Sequence, residues 1–491
     1  MTSPEENSPL LPAGCAGESA RFSLLNRHFL RRLSLLVIMA CLSLALPAHL
    51  PAQEPPKATD LFSKVVEHKL ANGLKVLMLR EPRAPLISLQ VWYRVGSRNE
   101  CLGKTGISHL TEHLMFRGTA KYPPGVFSRE VQKAGGSNNA FTSRNYTAYF
   151  ENGPKSELKR WLEMEADRMK GLNVGEEAFA TEKKVVLEER RLRTEDDPIS
   201  FLQETTMAAT FEAHPYQWPV IGWFHDIGSI SREEFLNYYH RFYQPNNCTL
   251  VVVGDIDPKE ALKQVEATFG DLPAGPEPPK VTAQEPQQFG ERRVLVHREA
   301  QLPFAFMAYH TPNWQNSDCY ALELLARVLA QGRSSRLYHR LVYKERLALD
   351  VGADYDFDTT DPFVFILYGQ PLPGKSVEAV QAAVAAEVKK LQNEAVGERE
   401  LTKAKNQLSA RFYMALDSLF YRGMLLGKLE TVAHWTILKD FMAKIQQVKA
   451  EDLRRVARQY LVANNCTTGI LVPQKSAQPK KGRYQPGGQV Q

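Results

Sequence analysis

An internal repeat constrains the fold of this chain more than any other feature of its sequence. Ser231–Leu250 reads SREEFLNYYHRFYQPNNCTL. A second segment begins 218 positions later, at Lys449, and aligns with the first without a gap; it reads KAEDLRRVARQYLVANNCTT. In both copies a helix-like segment runs into Asn-Asn-Cys-Thr and then into a β-rich run. A supersecondary unit repeated at a long fixed offset predicts a duplicated domain.

The composition between and after the two copies predicts where the domains begin and end. The chain of 491 residues is too long for one ordinary core. A proline- and glycine-rich stretch, PAGPEPPK, predicts a semi-rigid linker over 273–287. We therefore expect domains over 53–272 and 288–474, followed by a polar tail, 475–491, that we expect to be disordered.

The overall charge and the cysteines exclude some functional classes. The net charge of +6 is mild and part of it lies near the two chain ends, so nucleic-acid binding is not implied. Of the 6 cysteines, those after the first 52 residues are widely separated and without paired spacing, so they predict neither a disulfide framework nor a cysteine metal site.

The N-terminal segment has the pattern of a signal peptide. Arg27, Arg31 and Arg32 precede an apolar run over 33–46, about fourteen residues, which is short for a membrane span. We expect residues 1–52 to be removed on export, most simply to a periplasm. Three alternatives stay open here, namely a twin-arginine export signal, a lipid-attachment site at Ala40-Cys41 and an uncleaved membrane anchor.

The first half of the mature chain combines strand and helix patterns. Asn72-Gly73 between two apolar runs is a strong hairpin signal, because both residues tolerate positive φ. Strands at one end followed by several helical patterns predict an α+β architecture. The predicted strands are 65–70, 74–79 and 87–94, and the predicted helices are 106–116, 126–134, 156–171, 176–193 and 231–243.

The central functional signal is the sequence His109-Leu110-Thr111-Glu112-His113. On a helix, positions i and i+4 lie on one face, so both imidazoles can reach a single ion. Catalytic zinc sites use three protein ligands, commonly two histidines and a carboxylate, and Glu112 is placed to accept a proton from water at the metal. The alternative is an amphipathic helix with two surface histidines. The spacing is that of the inverted zincin motif.

Around this motif the sequence resembles the pitrilysin and insulinase-type zinc metallopeptidases, in the branch of mitochondrial and bacterial processing peptidases. The resemblance covers nearly the whole mature chain and includes several motifs in order. They are the segments 95–100 (VGSRNE), 106–109 (GISH), 115–119 (MFRGT), 135–142 (GGSNNAFT), 214–216 (HPY), 245–255 and 334–337 (SSRL).

The resemblance implies a third zinc ligand on a later helix. From the chemistry alone, Glu182, Glu188 and Glu189 are all candidates, and Glu182 and Glu189 share a helix face. By the family pattern Glu189 is the ligand, and Glu182 is the carboxylate that orients a ligand. Glu188 is better explained as solvated surface charge. The resemblance thus implies one Zn²⁺ per chain and a clam-like chamber between two homologous domains.

The resemblance also implies how a substrate binds. Residues 135–142 would enter an edge strand beside the active site, to which an extended peptide adds as a further strand. Asn139 and Ala140 would meet the substrate backbone. Substrates would then be short or unfolded peptides.

The second half departs from the pattern of active family members. These supply an arginine and a tyrosine, seven residues apart, to bind substrate and stabilise the tetrahedral intermediate. Aligned without gaps on 334–337, the two positions are Val342 and Leu349, which have no hydrogen-bond donor in the side chain. Arg336 and Tyr343 have the same spacing, but using them requires a slip of one helical turn.

This departure predicts a zinc endopeptidase that works as a heterodimer with a zinc-less homologue, which supplies the arginine and tyrosine. Two other functions stay open. One is a non-catalytic scaffold subunit like the core proteins of respiratory complexes, and the other is a self-sufficient homodimeric peptidase that uses other donors.

Overall fold

Two open β-sheets organise the chain in the computed structural model, which describes residues 62–474. The first sheet has the order β1-β2-β6-β3-β5-β4, in which β2 and β6 are parallel and all other neighbours are antiparallel. Its strands are β1 (Val66–Lys69), β2 (Lys75–Arg80), β3 (Leu86–Tyr93), β4 (Ser137–Thr142), β5 (Thr147–Pro154) and β6 (Cys248–Gly254). As predicted, β1 and β2 form a hairpin around Asn72-Gly73.

The second sheet repeats this arrangement with one strand fewer. Its order is β7-β11-β8-β10-β9, again with a parallel pair, β7 and β11, at one side and antiparallel neighbours elsewhere. The strands are β7 (Arg292–Glu299), β8 (Phe304–Thr311), β9 (Ala348–Tyr355), β10 (Phe363–Pro371) and β11 (Cys466–Gln474). The same order in both sheets confirms the predicted duplication and the α+β class.

Helices cover each sheet and enclose two large hydrophobic cores. Those of the first half are α1 (Ile107–Leu114), α2 (Val126–Lys133), α3 (Leu158–Gly171), α4 (Glu176–Arg190), α5 (Pro198–Thr210), α6 (Phe224–Ser229), α7 (Arg232–Phe242) and α8 (Pro258–Phe269). Those of the second half are α9 (Asp318–Ala330), α10 (Val377–Asn393), α11 (Glu398–Ala415), α12 (Leu419–Val432), α13 (Ile437–Gln447) and α14 (Ala450–Tyr460). Within the described residues, no helix has the length and apolar character needed to cross a membrane.

The two halves exchange a helix. Helix α12 of the second half packs on β3 and β6 of the first sheet, whereas α5 of the first half packs on β7, β8 and β11 of the second. Glycines permit the close approach: a Cβ at Gly427 would overlap the Trp92 indole, and one at Gly469 would overlap Thr206. Each half therefore contributes one helix that covers the sheet of the other half. A cavity of about 390 Å³ lies between the halves and is lined by α5 and by strands β8, β9 and β10.

The segment between the halves is held against the first half by polar contacts. The Glu285 carboxylate accepts hydrogen bonds from three consecutive backbone N–H groups, those of residues 212, 213 and 214. The Asn246 side chain forms two hydrogen bonds with the backbone of Gly275, at 2.9 and 3.0 Å. Because these contacts fix both ends of the segment, it is an ordered strap rather than a free spacer. The domain boundaries themselves stay a prediction.

Candidate metal centre

The buried carboxylate of Glu100 binds backbone N–H groups at the N-terminus of the short helix α1. Gly106, just before the helix, has φ of 89°, and its backbone lies against that of Gly222, so a side chain would fit at neither position. The two oxygens of Glu100 accept hydrogen bonds from the N–H groups of Gly106 and Ser108, both at 2.8 Å. Burial raises the pKa of Glu100 to about 8, while these hydrogen bonds oppose the rise.

A second acidic residue fixes the loop that leads into α1. Asp226, on α6, accepts hydrogen bonds from the backbone of Gly103 and Thr105 and, at 2.7 Å, from the Thr105 hydroxyl. The Ser108 hydroxyl in turn lies 2.7 Å from the hydroxyl of Tyr238. These contacts hold the first turn of α1 in place, so that the side chains of its later turns have fixed positions.

Three side chains from two helices converge beside α1. His109 and His113 come from α1, and Glu189 comes from the last turn of α4, which packs against α1. Their ligand atoms all lie within 4.8 Å of one another. A Glu189 oxygen lies 3.8 Å from Nε2 of His109 and 3.2 Å from Nε2 of His113. The structure thus brings together the three predicted ligands.

Glu182 orients one of the histidines. This buried residue lies seven positions before Glu189 on α4, and its Oε1 is 2.8 Å from Nδ1 of His113. Arg117 donates to its other oxygen, so the carboxylate is fully engaged. Because Nδ1 of His113 is held by Glu182, Nε2 faces Glu189 and is available as a ligand. Nδ1 of His109 is buried and has no hydrogen-bond partner in residues 62–474.

The electrostatics favour a neutral imidazole and an ionised carboxylate. Burial, together with the neighbouring His113, lowers the pKa of His109 to about 4. The hydrogen bond from His113 and the nearby basic groups hold the pKa of Glu189 below its usual value. Metal ligands must be deprotonated, and both shifts act in that direction. Two imidazoles with a carboxylate are a donor set that suits zinc, so the residues present fit this metal.

Glu112 lies on the same helix and is not one of the three converging ligands. Burial raises the pKa of its carboxyl above the usual range. Its Oε2 accepts a hydrogen bond of 2.6 Å from the hydroxyl of Thr142. Thr142 is the last residue of β4, which is the edge strand of the first sheet. Glu112 therefore links helix α1, which carries His109 and His113, to the edge strand.

The predicted substrate residues are on this same edge strand. Asn139 is exposed, and its side-chain oxygen accepts a hydrogen bond from the N–H of Ala140 at 2.9 Å. Strand β4 pairs only with β5 in the described sheet, so its other edge has no strand partner there. An extended peptide has room to pair with that edge.

The end of α4 differs from the predicted single helix over 176–193. The α-helix ends at Arg190 and is followed by one π-helical turn, Arg191–Glu195. Arg190 is buried there and bonds to Glu204 at 2.7 Å and to the carbonyl of Gly222 at 2.6 Å. Such π turns are frequent at functional sites. Glu188 is exposed and paired with Arg191, in agreement with its prediction as surface charge.

The second half offers no donor at the two positions singled out from the sequence. Val342 is half-buried and packs against the second core, whereas Leu349 is 51% exposed. Of the alternative pair, Arg336 is bound to both oxygens of Glu400, at 2.8 and 2.7 Å. Tyr343 is 70% exposed. Using Arg336 for another ligand would therefore require breaking an existing ion pair.

One acidic residue of the second half joins the two halves near the site. Asp361 accepts a hydrogen bond from Nε2 of the buried His214 at 3.0 Å and pairs with Arg98. Its N–H donates to the hydroxyl of Tyr216, which donates to Asn145. The sequence segments 95–100 and 214–216 therefore meet at this joint, and not at the metal ligands.

Comparisons with known families agree with this architecture. A model described as insulinase (peptidase family M16) matches residues 75–222, and a model described as peptidase M16 inactive domain matches residues 229–408. The two matches follow one another along the chain, and the last strand of the first sheet, β6, falls within the second match.

Individual proteins of known sequence or structure are similar to this chain over most of its length. The chain is 33% identical to the zinc protease PqqE of Helicobacter pylori over 408 residues, which are 82% of this chain and 92% of that protein. It is 26% identical to an uncharacterized zinc protease of Rickettsia bellii, over 82% of this chain and 97% of the relative. A crystal structure of a protease from Helicobacter pylori superposes with a TM-score of 0.81 at 33% identity, covering 84% of this chain and 100% of that one.

Proposed function

Because the chain belongs to the insulinase family of peptidases (peptidase family M16), we propose that it is a zinc-dependent endopeptidase that cleaves short or unfolded peptides. The observation that carries the proposal is the convergence of His109, His113 and Glu189 within 4.8 Å, with Glu112 beside them. Relatives named zinc proteases support the choice of metal.

In this proposal each residue has one task. His109, His113 and Glu189 hold one zinc ion, and Glu182 fixes the ring of His113. When bound, zinc lowers the pKa of water and polarises the scissile carbonyl. Glu112 accepts the proton of the attacking water and then delivers it to the leaving amine. Its raised pKa makes it a stronger base than an exposed glutamate and favours this role at neutral pH.

The substrate is an extended peptide that pairs with the edge strand β4. Asn139 and Ala140 lie on that strand, and Thr142 at the end of the same strand donates a hydrogen bond to Glu112. Main-chain pairing gives affinity without requiring a specific side chain. A folded protein cannot present an unpaired strand there, so we expect unstructured peptides to be cleaved first.

A homologous zinc-less partner completes the site. Val342 and Leu349 carry no donor for the developing oxyanion, and Arg336 is engaged with Glu400. Removing one oxyanion donor typically costs roughly 100- to 1000-fold in rate. The zinc-loaded chain alone should therefore be a very weak peptidase, and an added homologue with the arginine–tyrosine pair should restore the rate by forming a stable heterodimer.

The test compares the chain alone, the chain with such a homologue, and both preparations with Glu112→Gln, on a library of unstructured peptides. We expect little turnover alone, strong turnover in the mixture, and none with Glu112→Gln. Turnover at ordinary protease rates by the chain alone would instead support the self-sufficient homodimer. No hydrolysis in any mixture, with zinc bound, would support the scaffold function.

We also propose export of the chain, on the strength of the basic and apolar pattern in residues 1–52. These residues lie outside the part of the chain that the structure describes. Cell fractionation of the native producer would test this proposal. Mature protein beginning near residue 53 in the soluble periplasmic fraction supports cleavage, and full-length protein in the membrane fraction would favour the anchor.

A further inference from the structure

The hydroxyl of Thr142 joins the edge strand to Glu112. Thr142 ends β4 and lies opposite Thr147 of β5 in the strand register. Its Oγ1 is 2.6 Å from Oε2 of Glu112, and it is the one hydrogen-bond partner that Glu112 has within residues 62–474. A glutamate side chain has three rotatable bonds, so this single contact selects among its orientations.

The neighbouring groups fix the direction of this hydrogen bond. Thr147 donates its hydroxyl proton to the carbonyl of Val95 at 2.9 Å, deep in the sheet. The Thr147 hydroxyl proton is therefore not available to the Thr142 oxygen, which lies 3.4 Å away. An ionised carboxylate only accepts hydrogen bonds, so the Thr142 proton points at Glu112. The backbone of Val95, just after β3, thus holds Thr147, and Thr142 holds Glu112.

We infer that Thr142 is a positioning residue for Glu112. It holds one carboxylate oxygen and leaves the other free to accept a proton from water, which rests on the proposed peptidase function. Because Thr142 belongs to the edge strand that would receive the peptide, the element that binds substrate also sets the position of the base. Displacing a reacting group by about 1 Å can cost on the order of 100-fold in rate.

The test exchanges the hydroxyl for a methyl group of nearly the same size. In the enzyme preparation that is active in the assay above, Thr142→Val should lower kcat roughly 10- to 100-fold and leave KM within about twofold. Thr142→Ser keeps the hydroxyl and should recover most of kcat. The matched control is Thr268→Val on α8, where the hydroxyl bonds to the carbonyl of Gln264 at 2.8 Å and no site residue is near. All variants should retain zinc.

A second measurement separates positioning from peptide binding. In a Glu112→Ala background, adding Thr142→Val should change neither the Kd for a fluorescent unstructured peptide nor the zinc content, because the residue it positions is already gone. A rise in Kd of tenfold or more would make Thr142 a binding residue and overturn the inference.

Two further outcomes separate a failure of the role of Thr142 from a failure of the proposed peptidase function. Full kcat in Thr142→Val, with an active parent that loses activity on Glu112→Gln, overturns the role of Thr142 alone. A parent that hydrolyses no peptide in any preparation overturns the proposed function and this inference together.

Discussion

The two halves of the molecule have one sheet topology, but within the described residues only the first half assembles a cluster of side chains that could hold a metal ion. Shifting the metal helix by the repeat offset leads to the end of α9, where Arg327 and Gln331 stand in place of the two histidines. Arg327 is bound to Glu323 at 2.8 Å, four residues earlier on the same helix. A helix is present at this position of the second half, but Arg327 and Gln331 pair with Glu323 and Arg411.

This difference shows that the fold and the chemistry are separable in this chain. The second half supplies α12, which covers β3 and β6, and a wall of the cavity between the halves. The first half supplies the three side chains that could hold a metal, the proposed base Glu112 and the edge strand β4. Loss of a ligand should therefore abolish function with the fold intact, whereas loss of helix packing in either half should destabilise both.

The largest effect that this comparison predicts is on hydrolysis. Glu112→Gln removes the base but none of the converging ligands, so zinc binding should persist while the rate falls roughly 100- to 10,000-fold. Metal analysis and a peptide assay on the same sample measure both. Loss of zinc in this variant would mean that Glu112 is itself a ligand.

A matched pair of variants tests whether the carboxylates of the two halves have different roles. Glu182→Gln should weaken zinc binding roughly 10- to 100-fold, because it releases Nδ1 of His113. Glu400→Gln breaks the comparable ion pair with Arg336 in the second half and should leave zinc affinity unchanged. Competition with a fluorescent chelator measures both affinities, and equal losses would contradict the assignment.

The exchanged helix predicts a smaller effect, on stability. Gly427→Ala places a methyl group on the Trp92 indole, and overpacking of this kind costs about 1–3 kcal/mol. This outweighs the gain of ~1 kcal/mol that alanine has over glycine in a helix. The control, Gly228→Ala on α6, meets no atom within 4 Å. Thermal unfolding should show a lower Tm for Gly427→Ala and no decrease for the control. A Tm that does not fall in Gly427→Ala would contradict the close packing.

The smallest effect concerns the third candidate on α4. Glu188→Gln alters an exposed residue whose ion-pair partner within residues 62–474 is Arg191. Zinc content and hydrolysis should stay within about twofold of the parent, because exposed ion pairs contribute little. A variant at Glu188 that loses zinc would reassign the ligand.

The sequence pattern predicted the structural elements that depend on residues close together along the chain. The Asn72-Gly73 hairpin, helix α1 and the duplication all follow from spacing along the chain, and the structure confirms the α+β class. His109 and His113 could be placed on one helix face because they are four residues apart. Selecting Glu189 needed the family pattern, since three glutamates of α4 were chemically equivalent.

Other features depend on contacts between distant segments, which no local pattern encodes. Asp226 meets Thr105 across 121 positions, and Gln90 of β3 bonds to the carbonyl of Phe420 across 330. The helix exchange belongs to this class, as does the contact of Thr142 with Glu112. The sequence alone does not tell which element approaches Gly427.

The most direct test of the central claim is the zinc content of the purified chain and of its ligand variants, measured by metal analysis after dialysis. We predict about one zinc per parent chain and almost none in His109→Ala, His113→Ala or Glu189→Gln, each with the circular dichroism of the parent. A parent chain without zinc after incubation with the metal, or full retention in Glu189→Gln, would contradict the account.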